Sequence, residues 1–260
     1  MKIYDGFIFF NELDLLELRL MTLDKIVDYF VIIEANMTHT GNPKEYVLNK
    51  EHPLLKKYGD KIRYIQTTLP YKNQALANEV YQRNMIMEGV KDAEPDDYIM
   101  ISDLDEIPHP DGIMDGINNH KWERFIMEQK LTYYYINCLT KLPWHGTVVL
   151  KKKLLRSPQI TRDVDRRNPP CVIKEGGWHY SFLGNEEQIR EKLEAYSEVT
   201  TNKDVFKSEE HLAKCRATGA DLFNRDNDWR CVKTFVSLAE MGHDAVNEWL
   251  KIHPQYVKEL

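Results

Sequence analysis

Two aspartates separated by one residue form the strongest chemical signal in the sequence. Asp103 and Asp105 directly follow the apolar run YIMIS, residues 98–102. In an extended segment, residues two apart project to the same side, so both carboxylates are expected to point past the end of a strand. Two close carboxylates repel each other unless a cation or a proton intervenes. Their oxygens favour hard divalent cations, which predicts an Mn²⁺ or Mg²⁺ site at Asp103 and Asp105.

The alternative interpretation of this motif is a solvated acidic turn, since two aspartates at this spacing are common by chance. The preceding apolar strand favours the metal site. Arg83 lies on the predicted helix that leads into this strand. A guanidinium at that position can hold phosphate oxygens in a bidentate manner, although a surface arginine is the simpler interpretation.

A second signal is the segment GGWHYS, residues 176–181. Paired glycines allow positive φ or a close backbone approach. The face of Trp178 is predicted to support a sugar ring, because pyranose C–H groups pack on aromatic surfaces. The imidazole of His179 can add a nitrogen ligand to a metal that aspartates bind, and the alternative is a hydrogen-bonded core histidine.

The elements that must position these residues alternate between strand and helix over the first 105 residues. Helical spacing of apolar residues predicts helices over 13–27 and 74–89. Apolar runs predict strands over 3–10, 29–34, 62–65 and 98–102. This alternation predicts the α/β class, with a mostly parallel central sheet flanked by helices. Ligands bind beyond the carboxyl ends of such strands, so the site is expected in the segments 11–12, 34–36 and 103–106, with Asn11, Glu34 and Asn36 among its residues.

The second half of the sequence is less regular. Strands are predicted over 131–137 and 147–151, and a loop over the Arg-, Asp- and Pro-rich segment 156–170. Asn185 and Gln188 resemble a capping box that opens a helix. Residues 229–260 have helical character.

Composition limits the class of protein. The 260 residues suit one domain, and a formal net charge of -6 with scattered basic residues does not indicate a nucleic-acid partner. Four cysteines without a C-x-x-C pair indicate neither a zinc site nor a disulfide framework, which favours a cytoplasmic location. No apolar run approaches the roughly 20 residues of a membrane span, and the N-terminus is typical of a strand instead of a signal peptide.

Four blocks in order resemble glycosyltransferase family 17: IYDGFIFFNELDLLELRL, DYFVIIEANMTHTGNPK, DDYIMISDLDEIP and GGWHYS. The resemblance runs from about residue 3 to residue 219. The family contains β-1,4-mannosyl-glycoprotein β-1,4-N-acetylglucosaminyltransferases. It implies a GT-A-type nucleotide-sugar-binding fold and an inverting, metal-dependent transfer from a UDP-sugar, UDP-N-acetylglucosamine first, to an oligosaccharide acceptor. Residues 1–106 would form a nucleotide-binding half, residues 107–228 an acceptor- and metal-binding half, and residues 229–260 a helical tail.

The resemblance also implies roles for individual residues. Asp103 and Asp105 match the pair that holds the divalent ion and the donor diphosphate, and His179 is the expected third metal ligand. Glu34, Asn36 and Arg83 match positions around the nucleotide.

The catalytic base is predicted at the start of the helix after GGWHYS, at Glu187 first and Glu186 second. Two glutamates in a first helical turn also complement the helix dipole, which is the alternative. Glu106 and Glu175 are further candidates.

The sequence is also compatible with two other functions. One is a phosphohydrolase with Asp103 as the nucleophile. The other is a catalytically silent glycan-binding protein on a transferase fold, because a fold alone does not establish activity.

Overall fold

The computed structural model describes residues 1–225, 228 and 231–260. Trp229 and Arg230, where the predicted helical tail begins, lie outside the described residues.

The first 103 residues form the parallel part of the sheet. Strands pair in parallel in the order β4, β1, β2, β3. The elements of this part are β1 (Ile3–Phe9), α1 (Leu13–Leu23), β2 (Tyr29–Ala35), α2 (Pro53–Tyr58), β3 (Ile62–Thr67), α3 (Ala75–Asn84), α4 (Ile86–Gly89) and β4 (Tyr98–Asp103). The four strands predicted here are confirmed. Helix α1 ends four residues before the predicted end, and the predicted helix over 74–89 is divided at Met85, whose N–H is shared between two carbonyl groups.

Both faces of these strands are covered, which explains their uninterrupted apolar sequences. Side chains such as Phe7 and Met100 belong to one buried cluster, together with residues of α1. Alternate residues such as Val31 and Ile101 belong to a second cluster on the opposite face. The apolar runs that predicted the strands therefore also build the core.

The rest of the chain adds mixed pairing to the same sheet. Strand β8 pairs antiparallel with β4 and with β6, and joins the two parts. The elements are β5 (Glu106–Pro108), α5 (Pro110–Met114), β6 (Arg124–Tyr133), β7 (Cys138–Thr140), β8 (Trp144–Lys151), α6 (Pro158–Arg167), β9 (Val172–Ile173), β10 (Gly177–Ser181), α7 (Glu186–Ala195), α8 (Asp204–Lys207), α9 (Glu209–Thr218), β11 (Lys233–Phe235), α10 (Leu238–Met241) and α11 (Asp244–Trp249). The α/β class and the helix-flanked central sheet are confirmed, and parallel pairing predominates in the first part.

Two predictions in this half need correction. Strand β6 ends at Tyr133, short of the predicted residue 137, because Tyr134 has φ of +65°. The loop predicted over 156–170 is largely helix α6, which begins with Pro158 and is capped by the Ser157 side chain. The capping box at Asn185 is confirmed.

Strands from all three predicted parts of the chain, including β11 of the tail, belong to one sheet. The division at residues 106 and 228 and the cytoplasmic location stay predictions.

Within the described residues, no helix combines the length and apolar character needed to cross a membrane.

Candidate functional site

A buried arginine fixes the backbone of the turn that contains both aspartates. Arg19 of α1 forms a two-point ion pair with Asp5 of β1, at 2.6 and 2.8 Å. Its Nη1 also donates to the carbonyl oxygens of Asp103, Leu104 and Glu106, at 3.1, 3.1 and 2.8 Å. These bonds tie three carbonyl groups of the turn to one buried side chain, so the turn is held in one conformation.

The strand β10 brings His179 to this turn. His179 lies opposite Glu106 in the antiparallel pairing of β10 with β5. Gly177 has φ of +132°, and a Cβ at this position would lie 2.3 Å from the carbonyl oxygen of Ile107. The predicted need for a close backbone approach at the paired glycines is therefore confirmed, and it explains how β10 reaches the turn.

An open cleft lies beyond the carboxyl ends of β1, β2 and β4, where ligands bind in parallel sheets. It encloses about 970 Å³ of space, including open solvent. The polar lining includes Glu12, His39, Lys44, Glu79, Gln82, Arg83, Asp103, Asp105, His179 and Lys192. The two aspartates, Arg83 and His179 are thus brought together as predicted.

Asp103 is held between two arginines. Arg83 Nη2 donates to Oδ1 and Arg162 Nη2 donates to Oδ2, both at 2.6 Å. The arginine side chains are only 1% and 3% exposed. Burial raises the pKa of Asp103, but the charges of Arg162 and Arg83 outweigh it and hold the pKa well below its usual range. Each carboxylate oxygen therefore already has a buried cationic partner.

Asp105 has different partners. Lys192 Nζ of α7 lies 2.7 Å from Oδ2, and His179 Nε2 lies 3.5 Å from Oδ1. Burial raises the pKa of Asp105, but Lys192 and then His179 outweigh it, and the pKa is held well below its usual range. The side chain of Lys192 is 25% exposed, so this partner can move without opening the core.

The donor atoms fit a divalent cation as a two-ligand site. Among the described residues, no group of three or more His, Cys, Asp or Glu is arranged to hold a metal ion. Asp105 and His179 supply one carboxylate oxygen and one imidazole nitrogen at the same wall of the cleft. Ions such as Mg²⁺ use one or two protein carboxylates and complete their shell with phosphates and water. Asp103 also lines the cleft, but a cation would have to share both of its oxygens with buried arginines, so its role as a metal ligand stays a prediction.

The comparisons with known proteins show the family. The model of glycosyltransferase family 17 matches residues 1–247. The chain belongs to glycosyltransferase family 17. It is 30% identical over 116 residues to the β-1,4-mannosyl-glycoprotein 4-β-N-acetylglucosaminyltransferases of Homo sapiens and Rattus norvegicus. Each alignment covers 40% of this chain and 21% of the relative, so the match spans about a fifth of the relatives' length.

Solved structures give more distant similarities. The 4-diphosphocytidyl-2C-methyl-D-erythritol synthase of Anaerococcus prevotii aligns at 13% identity and a TM-score of 0.41, covering 72% of this chain and 93% of that one. The glucosyl-3-phosphoglycerate synthase of Mycobacterium tuberculosis, in complex with Mn²⁺, UDP and phosphoglyceric acid, aligns at 12% identity and a TM-score of 0.40 over 72% of this chain and 73% of that one. At TM-scores below 0.5, these alignments do not establish a shared fold.

In this family 17 chain, three residues predicted around the nucleotide lie off the cleft wall. Glu34 is fully buried and accepts hydrogen bonds from Lys44 Nζ, the backbone N–H groups of residues 47 and 48, and Tyr64. It therefore holds the segment after β2. Asn11 donates to Glu191, and Asn36 is also absent from the lining. Their neighbours Glu12, Ala35 and Met37 line the cleft instead.

Trp178 is a core residue. Its ring stacks on His243 with centroids 3.7 Å apart, and its Nε1 donates to the carbonyl oxygen of Met241 at 2.7 Å. Strand alternation turns Trp178 away from the cleft and His179 toward it. The predicted sugar platform at Trp178 is therefore wrong.

None of the glutamates predicted as the base lines the cleft. Glu186 pairs with Arg216 at 2.7 Å, and Glu187 and Glu175 are exposed. Glu106 is buried and accepts from Arg162 and from Trp144, both at 2.6 Å. Near the N-terminus of α7, Glu186 and Glu187 suit the helix dipole, which was the alternative interpretation.

Three functional residues were not predicted from the sequence: Arg19, Arg162 and Lys192. Arg19 interrupts the apolar face of a predicted helix, and a charge there indicates a buried partner. Ser157 followed by Pro158 is a helix-start signal that would have placed Arg162 on a helix. Lys192 lies on a correctly predicted helix, but no local signal distinguishes it.

Proposed function

We propose that this chain is an inverting glycosyltransferase on a GT-A-type scaffold, which transfers a sugar from a nucleotide donor to an oligosaccharide acceptor. The observation that carries the proposal is the turn at the end of β4. Asp105 opens on a cleft that also contains Arg83, His179 and Lys192. One carboxylate surrounded by these groups complements a metal-bound diphosphate. The names of the curated relatives favour N-acetylglucosamine as the transferred sugar, and the resemblance to the family favours UDP as its carrier.

The residues of the cleft would act mainly by fixed electrostatics. Asp105 and His179 would hold Mn²⁺ or Mg²⁺, which when bound supplies Lewis-acid stabilisation to the departing diphosphate. Arg83 and Lys192 would add positive charge on the same wall. Arranged charges of this kind need no reorganisation during the reaction, and they are usually the largest contribution to catalysis.

The base that accepts the proton of the acceptor hydroxyl is assigned to Glu12. The carboxylates on the described cleft wall, apart from the two aspartates, are Glu12 and Glu79. Glu79 accepts hydrogen bonds from Arg83 and Ser197, so its oxygens are occupied. Glu12 is 26% exposed, and its nearest cation is Lys192 Nζ at 3.6 Å. Its other carboxylate oxygen accepts from the backbone N–H of Asn11 at 3.2 Å, and both contacts are longer than that of Glu79 with Arg83 at 2.7 Å, so Glu12 is the less tightly held of the two.

The ion pairs of Asp103 disfavour a phosphohydrolase. A nucleophilic aspartate needs one free oxygen to attack phosphorus, whereas both oxygens of Asp103 contact arginine Nη2 atoms at 2.6 Å.

Calorimetric titration with a panel of UDP-sugars, each with Mn²⁺ and with EDTA, tests the proposal together with an assay of sugar transfer. We expect Mn²⁺-dependent binding of one UDP-sugar, lost in Asp105→Ala and kept in the exposed control Asp111→Ala. Absence of binding to every UDP-sugar would sink the proposal. Glycan binding without metal or turnover would instead indicate a silent binding protein.

A further inference from the structure

Lys192 stands apart from the other cations that touch the two aspartates. It projects from α7 to the cleft wall, where Nζ lies 2.7 Å from Asp105 Oδ2 and 3.6 Å from Glu12 Oε1. It also lies 5.7 Å from the ring centroid of Phe182. One ammonium group therefore forms ion pairs with two carboxylates at the position where the proposed metal site opens to the cleft.

We propose that Lys192 is an exchangeable counter-ion, which neutralises Asp105 in the ligand-free protein and moves to the donor diphosphate when a divalent cation replaces it. This inference rests on the proposed function, because the diphosphate belongs to the nucleotide-sugar donor.

Electrostatics makes the exchange necessary. An ammonium 2.7 Å from Oδ2 and a divalent cation on the same carboxylate would repel each other strongly in a partly buried site. The cation carries twice the charge and gains a second ligand from His179, whose Nε2 lies 3.5 Å from Asp105 Oδ1. Lys192 must then find another anion, and the diphosphate enters through the cleft that Lys192 lines.

The side chain of Lys192 permits this movement. A lysine ammonium is a compact charge on a flexible four-carbon stem, and here a quarter of the side chain is exposed. The backbone of α7 need not move, since the helix start is fixed by the capping box of Asn185 and Gln188. Arg83 and Arg162, at 1% and 3% exposure, have no comparable freedom.

The exchange couples the two ligands. Without nucleotide, a divalent cation that binds Asp105 displaces the Lys192 ammonium. Glu12 is then the anionic neighbour that the ammonium keeps within 4 Å. With nucleotide, the same ammonium gains a phosphate partner. Metal and nucleotide should therefore strengthen each other's binding, by a factor that is typically about 5–150 in coupled sites.

The test measures Mn²⁺ binding by electron paramagnetic resonance and UDP binding in Mn²⁺ by calorimetric titration, for the wild type and Lys192→Met. We expect Lys192→Met to bind Mn²⁺ alone about 10-fold more tightly and, in Mn²⁺, to bind UDP about 10-fold more weakly. Lys192→Gln should behave in the same way and guards against a folding defect. Lys174→Met is the matched control, because it removes the same charge from an exposed side chain paired with Glu128.

Unchanged affinity for Mn²⁺ alone, or unchanged affinity for UDP, would overturn the exchange and leave Lys192 as a static partner of Asp105. Failure to bind Mn²⁺ in either protein would overturn it as well. A wild type that binds Mn²⁺ but no UDP would refute the nucleotide-sugar function separately, while the Mn²⁺ titration would still decide whether Lys192 competes for Asp105.

Discussion

The turn after β4 contains two chemically identical carboxylates, Asp103 and Asp105, which contact different kinds of cation. On the arginine side, Asp103 contacts Arg83 and Arg162, which are almost fully buried. On the lysine side, Asp105 contacts Lys192, a quarter exposed, and His179. Both carboxyl pKa values lie well below the usual range. A lowered pKa thus does not by itself assign a role to an aspartate. The mobility of the cation that pairs with the carboxylate distinguishes a structural ion pair from a metal ligand.

The arginine side is locked by a continuous network. Arg162 Nη2 donates to Asp103 and to Glu106, at 2.6 Å each. Glu106 is fully buried and also accepts from the backbone N–H of Asp103 at 3.0 Å. Removal of Arg162 would leave Asp103 with Arg83 and would break the ion pair of the fully buried Glu106, which is more costly than the pair itself is stabilising.

The largest expected effect is therefore on stability. Arg162→Met should lower the free energy of unfolding by about 3–5 kcal/mol, because it breaks the ion pair of a fully buried carboxylate. Lys192→Met should lower it by less, because a quarter of the lysine side chain is already exposed. Urea unfolding measures both, with the exposed Arg167→Met of the same helix as the control. Equal losses for Arg162→Met and Lys192→Met would remove the distinction between the two sides.

The second effect concerns catalysis on the lysine side. Glu12→Gln should lower kcat about 100-fold or more while donor affinity changes by less than about twofold, because a general base acts on the acceptor. Glu187→Gln, which alters an exposed carboxylate away from the cleft, should leave kcat unchanged. Steady-state transfer kinetics compare the two variants. A large effect in Glu187→Gln and none in Glu12→Gln would restore the base predicted from the sequence.

The smallest effect is expected at Trp178, which precedes His179 in β10 and faces the core. Trp178→Phe removes the hydrogen bond to Met241 and part of the stack on His243. It should cost about 1 kcal/mol of stability and leave donor and acceptor affinities unchanged. Thermal unfolding and glycan-binding titrations measure the two quantities. A selective loss of acceptor affinity would show that this side chain does contact sugar.

The parts of the fold that were predictable are those encoded locally. Apolar runs gave the strands β1 to β4, and the position of Asp103 and Asp105 after β4 followed directly. The close approach at Gly177 was also readable, because few other residues adopt its φ.

The prediction errors arise where tertiary contacts determine which side chain faces the cleft. Alternation in β10 places Trp178 and His179 on opposite faces, but the sequence does not say which face meets the cleft. On α7, residues 187 and 192 lie about 140° apart around the axis, so a correct helix still left the wrong residue facing the site. Of the two arginines that contact Asp103, Arg83 was predicted near it, whereas Arg162 of α6 is 59 residues away in sequence.

The most direct test of the division between the two sides is Mn²⁺ binding in the presence of UDP for Asp103→Asn and Asp105→Asn, measured by electron paramagnetic resonance. We expect Asp105→Asn to lose roughly 100-fold in Mn²⁺ affinity, because a ligand is removed. Asp103→Asn should keep Mn²⁺ affinity within about threefold and lose stability instead. Equal loss of Mn²⁺ affinity in both variants, or a greater loss in Asp103→Asn, would contradict the assignment of the metal to Asp105.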